Sequence, residues 1–586
     1  MKMYLGAVVA MFVGASCLFL TPYSPISFGD SNQEASAVSV TGAASSADDI
    51  KATPGQRHVV VALASPDQLS GNIEFLVDQL KLPGQIRPMI DGTVDMVVSA
   101  FDQDKPAGAV MDLVGKNTAD AVWCLPVNDI NAFEDLLGNF GKVKKGDPVS
   151  TFSSPGKPTL HFKQERGYVF VSDDKAHFAI APADPEQLFG SLISDNLIFA
   201  QFNVQQFSQH HRDTFWARFT DGAGSKHLQE TLERWSELAA DADQFSIGLK
   251  VDQSTTQIVA NTQLTFLDGS PSSQKAAKEM ENQPTQFAGF KKDMNTGFSL
   301  NYCSNTTAES FSWAKQEIVK LYEGRKKMKN SLRKYTGEAK PESDKDVEAL
   351  TEKILDIFDE AIATGRVDAG GNFFFYKGQP NLALGCYVGD SSELKKVFEN
   401  EIVEQLRKND SEFSIEKNVA QHNDIVFHQF TSPNGEFFQT NYKLDKRSPV
   451  VVGFGDDTVY FARGNVALKA LKRCILNSEK MSEEGIEQSD LEGAPSMCNA
   501  QFRAIPWLNL AGEILGPMGR KQVSAELKGQ DKLSFSMRPI ENGYQSTTNF
   551  DIGLITGAIG AVQTVGQQAS VKFDQISREL EAGSRN

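Results

Sequence analysis

The sequence predicts an α+β protein in which strand-strand-helix units are repeated and form antiparallel sheets covered by helices on one face. Two observations lead to this prediction. Within residues 121–140 a short apolar strand is followed by Pro126 and an amphipathic helix, a succession that returns along the chain. Residues 168–179 and 450–462 also match each other, because each has an apolar strand, an Asp-Asp pair and an alternating strand before a helix. Consecutive hairpins with intervening helices favour antiparallel sheets with one helical layer.

The first residues have the order of an export signal. Lys2 precedes an uncharged apolar run over residues 5–20, and small and polar residues follow it. The run is shorter than the roughly 20 residues of a spanning helix, so we expect a cleaved signal within residues 1–28, with a retained anchor as the alternative. Lipid attachment at Cys17 is disfavoured because the apolar run continues beyond it. Residues 29–57 lack large apolar side chains and predict a flexible, low-complexity spacer.

The rest of the chain is predicted to divide into three α+β units, as its length suggests. Predicted hairpins over residues 245–266, 373–388 and 533–550 each precede a helix. A helical hairpin is expected as an insertion at about 308–364, because apolar residues recur at helical spacing on both sides of a linker that contains Gly337. The predicted units cover residues 58–195, 196–407 and 408–586.

The charge of the chain argues against nucleic acid as a partner. Its 586 residues include 58 basic and 75 acidic side chains, a formal net charge of -17, which disfavours phosphate backbones and anionic membranes. The one basic cluster comprises Arg325, Lys326, Lys327, Lys329, Arg333 and Lys334. At the end of a predicted helix these cations complement the helix dipole on a solvated face. The alternative is a patch that binds an anionic polymer, a lipid headgroup or an acidic partner.

Candidate metal ligands are scattered, so neither a metal site nor a cofactor is predicted. If Cys17 leaves with the signal, five of the six cysteines remain, and no two of them form a C-x-x-C pair. We interpret them as small buried side chains. The neighbouring His210 and His211 would diverge by about 100° on a helix, so they could not share a metal ion.

No catalytic residue is predicted either. The chain lacks a G-x-S-x-G elbow, and the glycines at 222–224 and 453–455 lack the context of a phosphate-binding loop. The Asp-Asp pairs at 173–174 and 456–457 are interpreted as hairpin turns, with calcium ligands as the alternative. The last predicted helix, residues 553–568, has glycines spaced for close packing onto a sheet, with a partner or membrane surface as the alternative contact.

The export signal, the spacer and the repeated hairpin-helix units resemble uncharacterised exported proteins of planctomycete-type bacteria. The motifs that carry the resemblance are residues 125–129, 168–179 and 450–462. The resemblance implies no activity, cofactor or catalytic residue. We therefore expect a non-enzymatic periplasmic or cell-envelope protein, a scaffold or binding module that contacts the membrane only through its N-terminal segment. The alternatives are a carrier of a lipid or other apolar ligand between sheet and helices, and a hydrolase with an unrecognised site.

Overall fold

The computed structural model divides the chain into two compact units, Met1–Ser273 and Gln274–Asn586. The residues that the structure describes are 57–80, 92, 100–115, 118–208, 211, 240–281, 284–291, 296–305, 353, 356–357, 364–404, 414–431, 448–484, 496–509, 521, 523–525, 527 and 529–557. Helices and large antiparallel sheets are both present, which confirms the α+β class. The predicted signal, nearly all of the spacer and nearly all of the helical insertion lie outside the described residues.

The first unit contains strands β1 to β10. They are β1 (Val59–Leu63), β2 (Ala107–Gly115), β3 (Thr118–Pro126), β4 (Lys142–Lys144), β5 (Ser150–Ser153), β6 (Leu160–Glu165), β7 (Tyr168–Ser172), β8 (Ile198–Phe202), β9 (Ala242–Asp252) and β10 (Gln257–Phe266). Their hydrogen-bonded order is β10-β9-β8-β1-β2-β3-β7-β6-β5-β4, and each of these pairs is antiparallel. β1 therefore lies inside the sheet, between β8 and β2.

Helices occupy the connections of this sheet. They are α1 (Pro66–Leu80), α2 (Ile130–Gly138) and α3 (Pro185–Ile193), with 3-10 turns at Lys175–Ile180 and Val204–Gln206. A further helix, α4 (Pro271–Met280), follows β10 and spans the boundary between the two units. The carboxylate of Asp129 caps α2 by accepting the backbone N–H of Asn131 at 2.9 Å. Asp184 caps α3 in the same way.

The described helices of the first unit pack against both faces of its sheet. Phe189 of α3 lies in one apolar cluster with Phe170. Phe133 of α2 lies in another with Val169. Val169 and Phe170 are successive residues of β7, so their side chains point to opposite faces. The single helical layer expected from the sequence is therefore not what these helices form.

The second unit contains strands β11 to β20. They are β11 (Thr296–Ser304), β12 (Val367–Tyr376), β13 (Gln379–Tyr387), β14 (Ser414–His422), β15 (Ile425–Thr431), β16 (Val450–Phe454), β17 (Thr458–Arg463), β18 (Cys498–Arg503), β19 (Lys532–Ile540) and β20 (Gly543–Asp551). Their order is β20-β19-β18-β11-β12-β13-β17-β16-β15-β14, again with antiparallel pairs. Helices are α5 (Ser392–Val397), continued by a π-helical turn (Phe398–Ile402), α6 (Ala467–Glu484) and residues 552–557, with 3-10 turns at Ala288–Lys291 and Ile505–Asn509.

The two units have the same strand order. Adding ten to the number of each strand in the order of the first unit gives the order of the second unit. Connections match as well: α2 and α5 follow the third strand of their units, and α3 and α6 follow the seventh. After the eighth strand, the N–H of Phe207 bonds the carbonyl of Val204 at 3.0 Å, and the N–H of Trp507 bonds the carbonyl of Ala504 at 3.0 Å. The chain therefore contains two copies of one topology.

Two observed strand pairings cross the boundaries of the three predicted units, 58–195, 196–407 and 408–586. A boundary at 195 would separate β8 from its partner β1, and a boundary at 407 would separate β13 from its partner β17. Each boundary would cut through ladders of backbone hydrogen bonds. The ten-stranded sheet is the repeated element, and strand pairing between distant segments sets its limits.

The predicted match between residues 168–179 and 450–462 is displaced by one strand. Residues 450–462 form the expected hairpin, in which β16 and β17 pair around Asp456 and Asp457. In the first unit, however, Asp174 caps a 3-10 turn, with its carboxylate accepting the N–H of Ala176 at 2.9 Å. By topology, β7 corresponds to β17 and not to β16.

Candidate functional site

One face of the second sheet carries large apolar side chains that are exposed. Phe298 and Leu300 of β11 are 42% and 40% exposed, and Leu384 of β13 is 38% exposed. Leu300 lies opposite Gly371 of β12, and Gly371 lies opposite Leu384, so these positions share a face. A Cβ atom on Gly371 would lie 3.1 Å from a methyl carbon of Leu384, so the glycine leaves space between the two leucines. We call the surface of Phe298, Leu300 and Leu384 the open face.

The burial pattern of β11 is the reverse of the usual one. Ser299 and Asn301 are 0% and 1% exposed, although the apolar residues that alternate with them face outward. The hydroxyl of Ser299 has no hydrogen-bond partner among the described residues. Burying polar groups while exposing apolar ones lowers stability, since the hydrophobic effect favours the opposite arrangement. An exposed apolar surface that lowers stability in this way is typical of a binding surface.

Aromatic side chains form one border of the open face. The indole of Trp507 stacks on Phe373 with ring centroids 5.0 Å apart and meets Phe375 edge to face at 5.4 Å. Its N–H donates to the carbonyl of Gly297 at 2.9 Å, which fixes the ring over β11. A Cβ atom at Gly297 would lie 2.7 Å from the indole nitrogen, so a glycine is needed for this approach.

The opposite border is α5 with its π turn. Leu394 and Phe398 pack there against Val450 and Val452. The Asp-Asp hairpin positions this helix, because the carbonyl of Asp456 accepts the N–H of Ser391 at 2.9 Å. The residue pair that the sequence identifies as a turn therefore also anchors the start of α5.

The other face of the second sheet is closed by aromatic and helical packing. Phe287 and Phe290 lie in a buried cluster with Leu471 of α6. Phe287 fits because β12 and β13 have glycines beneath it: added Cβ atoms at Gly370 and Gly385 would lie 2.4 and 2.6 Å from its side chain. The open face and the closed face are thus the two sides of the same three strands, β11, β12 and β13.

The corresponding residues of the first unit are covered. Val59 and Val61 of β1 occupy the places of Phe298 and Leu300, as the matched pairing with β8 and β18 shows. Both valines are buried, at 3% and 4% exposure, in a cluster that contains Phe207. Among the described residues, the open surface is therefore a feature of the second unit.

The first unit contains a polar cluster instead. The ring of His177 lies with Nε2 at 3.0 Å from a carboxylate oxygen of Asp120 and Nδ1 at 3.1 Å from both Asp173 and the hydroxyl of Ser172. These contacts have the order of a Ser-His-Asp triad. Ser172, however, is only 3% exposed, and its hydroxyl also accepts the backbone N–H of Asp174 at 3.4 Å. The geometry holds the 3-10 turn on the sheet and leaves the hydroxyl no access to a substrate.

A buried ion pair lies across the strands from this cluster. Asp112 faces Asp120 in the register of β2 and β3, and its carboxylate bonds Arg57 at 2.9 Å and His58 at 3.3 Å. Burial alone would raise the pKa of Asp112, but the hydrogen bond from His58 and the charge of Arg57 hold that pKa below its usual value. Asp112 is therefore a charged structural partner that ties the start of β1 to β2.

No metal or thiol chemistry is indicated in the described part of the chain. No group of three His, Cys, Asp or Glu side chains there is placed to hold a metal ion. The five cysteines outside the predicted signal are thiols and form no disulfide among the described residues. Burial raises the pKa of Cys386 to about 12 and also raises the pKa of Cys124. The thiols of Cys386 and Cys124 therefore stay protonated near neutral pH.

The residues predicted as an anion-binding patch, Arg325 to Lys334, lie outside the described residues. The glycines at the start of the last helix do approach other residues closely: a Cβ atom at Gly557 would lie 2.5 Å from Leu527, and one at Gly553 would lie 2.2 Å from the carbonyl of Gln530. Leu527 is helical and Gln530 lies outside the strands, so these two contacts are not the predicted packing onto a sheet. The open face was not predicted. The sequence feature that relates to it is the alternation of Phe298, Leu300 and Tyr302 with other residues along β11. This alternation shows that the three side chains share a face, but it does not show that the face is exposed.

Comparisons with known proteins add little to this geometry. No protein-family model matches the chain, and no curated protein matches it either. One solved structure, crystal form I of the Treponema protein TP0453, aligns with 38% of this chain and 81% of its own, at 7% identity and a TM-score of 0.20. At that score the likeness supports no argument. Within the described residues, no helix has the length and apolar character needed to span a membrane.

Proposed function

We propose that this protein is a non-enzymatic binding module, exported to the periplasm or cell envelope, whose ligand is an apolar molecule held on the open face. The observation that carries the proposal is the reversed burial of β11. Its apolar side chains face outward while Ser299 and Asn301 are buried. Location outside the cytoplasm rests on the N-terminal signal predicted from the sequence. The non-enzymatic part of the proposal rests on the lack of a recognised catalytic motif in the sequence, and the burial of Ser172 argues only against the Ser172–His177 cluster as a catalytic site.

The energetics favour an apolar occupant. Covering a large aliphatic or aromatic side chain completely is worth about 1.5–3 kcal/mol, so three partly exposed side chains offer several kcal/mol to a ligand that covers them. The stacked rings of Trp507 and Phe373 give the surface a rigid border, which lowers the ordering cost of binding. A ligand with a long hydrocarbon part fits this surface better than a polar polymer does.

The predicted helical insertion at about 308–364 remains part of the proposal. It would connect β11 and β12, which are neighbours in the sheet yet are separated by residues 305–366. That distance along the chain is far more than a hairpin between adjacent antiparallel strands needs.

The test is direct ligand binding by the purified full-length protein. Mass spectrometry of an organic extract should detect a co-purifying lipid, and the delipidated protein should bind the fluorescent hydrocarbon diphenylhexatriene. A Leu300→Glu variant should bind the probe at least about tenfold more weakly, because covering a charge adds more than about 1.4 kcal/mol to the cost of binding.

Leu476→Glu is the matched control. Leu476 is 43% exposed, but it lies on α6, which packs on the closed face. Probe binding by this variant should equal that of the wild type. If the wild type carries no lipid and binds no probe, or if Leu300→Glu binds like the wild type, the carrier function is wrong and the scaffold interpretation takes its place.

A further inference from the structure

The apolar surface of the second sheet extends over both neighbours of β11. Leu300 of β11 pairs with Gly371 of β12 on one side and with Ala500 of β18 on the other. Directly paired residues of antiparallel strands share a face, so Gly371 and Ala500 lie beside Leu300 on the open side of the sheet. Both are partly exposed. The surface that a ligand meets is therefore wider than the three side chains of the open face.

Small residues make β12 and β18 lower than the strand between them. On this side of the sheet β12 has Ala369 and Gly371, and β18 has Cys498 and Ala500, all partly exposed. We call these two pairs the β12 groove and the β18 groove. The larger side chains that flank them are Leu300 and Tyr302 of β11, Phe535 and Met537 of β19 and Leu384 of β13.

The floor of the β12 groove is open above Gly371. Among the described residues, an added Cβ atom there would meet only a methyl carbon of Leu384 at 3.1 Å and the carbonyl oxygen of Leu300 at 3.9 Å, apart from its chain neighbours. Both of these residues belong to the walls of the groove. The space over the floor is therefore left for an atom from outside the sheet.

Trp507 closes the same end of both grooves. Its indole stacks on Phe373, the next residue on this face of β12 after Gly371, with ring centroids 5.0 Å apart. It also stacks on Phe502, the next residue on this face of β18 after Ala500, at 6.2 Å. Since one ring covers both phenylalanines, the two grooves begin side by side. Each then runs along its strand away from Trp507.

The dimensions of the grooves match acyl chains. β12 and β18 are two strand spacings apart, about 9.5 Å, and the stretch from Cys498 to Phe502 is about 13 Å long. That length is close to one acyl chain, since two opposed chains make up a hydrocarbon core about 30 Å thick. The face from β13 to β19 covers roughly 250 Å², far less than the about 800 Å² per partner of a stable protein interface. A small ligand therefore fits this surface better than a second protein does.

The first unit fills the equivalent place with its own side chains. Ala200 of β8 corresponds to Ala500, because each pairs with the central residue of the matched strand, Val61 or Leu300. Ala200 packs against the apolar cluster that contains Phe207. A small residue at this position therefore accommodates an apolar group that lies on it.

We infer that the ligand of the open face is a two-chain lipid, with one acyl chain in the β12 groove, the other in the β18 groove and Leu300 between them. This inference rests on the proposed function and names the ligand class. A glycerol backbone joins its two chains only a few bonds apart, so the chains are able to straddle a single strand. Because Trp507 closes one end and neither groove contains a charged residue, the headgroup lies beyond the other end.

The experiment compares two lipids that share a headgroup and a chain length but differ in chain number. Dioctanoyl phosphatidylcholine and octanoyl lysophosphatidylcholine displace diphenylhexatriene from the full-length, delipidated protein, and native mass spectrometry counts the bound molecules. The wild type should bind one molecule of the two-chain lipid or two of the one-chain lipid. It should bind the two-chain lipid at least about 100-fold more tightly, since each buried methylene group adds roughly fourfold to affinity.

Filling one groove should remove the place of one chain. Ala500→Leu puts a large side chain on the floor of the β18 groove, so this variant should bind a single one-chain molecule. Its preference for the two-chain lipid should fall to about tenfold or less. Gly371→Val should have the same effect in the β12 groove. The two substitutions lie on different strands, and circular dichroism checks the folding of each, so either variant alone carries the test.

Ser536→Leu is the matched control. Ser536 is partly exposed on β19, but it lies between Phe535 and Met537 and therefore faces the other side of the sheet. This variant should keep the wild-type count and the wild-type preference.

Two kinds of failure are distinguishable. A wild type that binds only a single one-chain molecule, or that binds both lipids equally tightly, overturns the inference and leaves an apolar carrier. Folded groove variants that keep the wild-type count do the same. A wild type that binds neither the lipids nor diphenylhexatriene overturns the proposed function itself.

Discussion

The two units have the same strand order, but they differ in how far the side chains of one central strand are exposed. In the first unit, Val59 and Val61 of β1 are buried, whereas their counterparts Phe298 and Leu300 of β11 are exposed. The fold does not require an open face, since one copy of the topology covers it. Larger side chains stand where the surface is exposed, and smaller ones stand where it is covered. The difference therefore resides in side chains and coverage, not in topology.

The closed faces of the two units are built alike. Gly108 of β2 and Gly370 of β12 hold corresponding positions, and each makes room for a phenylalanine side chain. A Cβ atom on Gly108 would lie 2.4 Å from Phe189, and one on Gly370 would lie 2.4 Å from Phe287. The units are thus similar on the face that packs and different on the face that we propose binds. The three experiments that follow test this contrast.

The largest expected change in stability comes from adding a side chain to a glycine of the closed face. Gly370→Val should lower the free energy of unfolding of the second unit by about 3 kcal/mol, because overpacking forces Phe287 or the backbone to move. Urea unfolding checks this value. Gly71→Ala is the control, since Gly71 lies in α1 with no atom within 4 Å of an added Cβ, and it should raise stability slightly. A neutral Gly370→Val would mean that the closed face is loosely packed.

Local sequence reasoning predicts much of this fold and fails where long-range pairing decides. The helix after Pro126 and the hairpin of β16 and β17 follow from apolar periodicity and from turn residues. The displaced match has a local cause: Asp after a strand can close a hairpin, as Asp456 does, or cap a helical turn, as Asp174 does. Nothing in a short window distinguishes the two outcomes.

The open face could not be predicted for a similar reason. A period of two tells which residues of β11 share a face, but not which face the rest of the chain covers. Ser299 and Asn301 would ordinarily be placed outside. Only the pairing of β11 with β12 and β18, and the seating of Phe287 over Gly370, show that they lie inside.

An intermediate effect is expected at Asp112, whose ion pair belongs to the first unit. The folded-state pKa of this carboxyl is lowered, so its contribution is present above the unfolded-state pKa of about 3.8 and is lost as the pH falls through the folded-state pKa. Asp112→Asn should lower stability by about 1–3 kcal/mol at neutral pH. The difference from the wild type should shrink on acidification below pH 4.

Urea unfolding of both proteins across this pH range measures the effect. Asp252→Asn serves as the comparison, because Asp252 is a partly exposed carboxylate whose own pKa is lowered to about 2 by hydrogen bonds from Ser254 and Thr255 within one turn. A stability loss at Asp112 that stays constant at every pH would show that its charge is not what stabilises β1.

The smallest effect is expected at Ser172, and it tests whether the first unit is a catalyst. Ser172→Ala removes one buried hydroxyl and should cost about 1 kcal/mol in stability, with no change in any hydrolysis of p-nitrophenyl esters by the purified protein. The geometry gives the reason: His177 is held between Asp120 and Asp173, and the hydroxyl is engaged with the backbone of Asp174. His177→Gln is the companion variant, since it can keep a contact to Asp120 without acting as a base. Hydrolysis that disappears in both variants would make the polar cluster a Ser-His-Asp site and would assign the chemistry to the first unit.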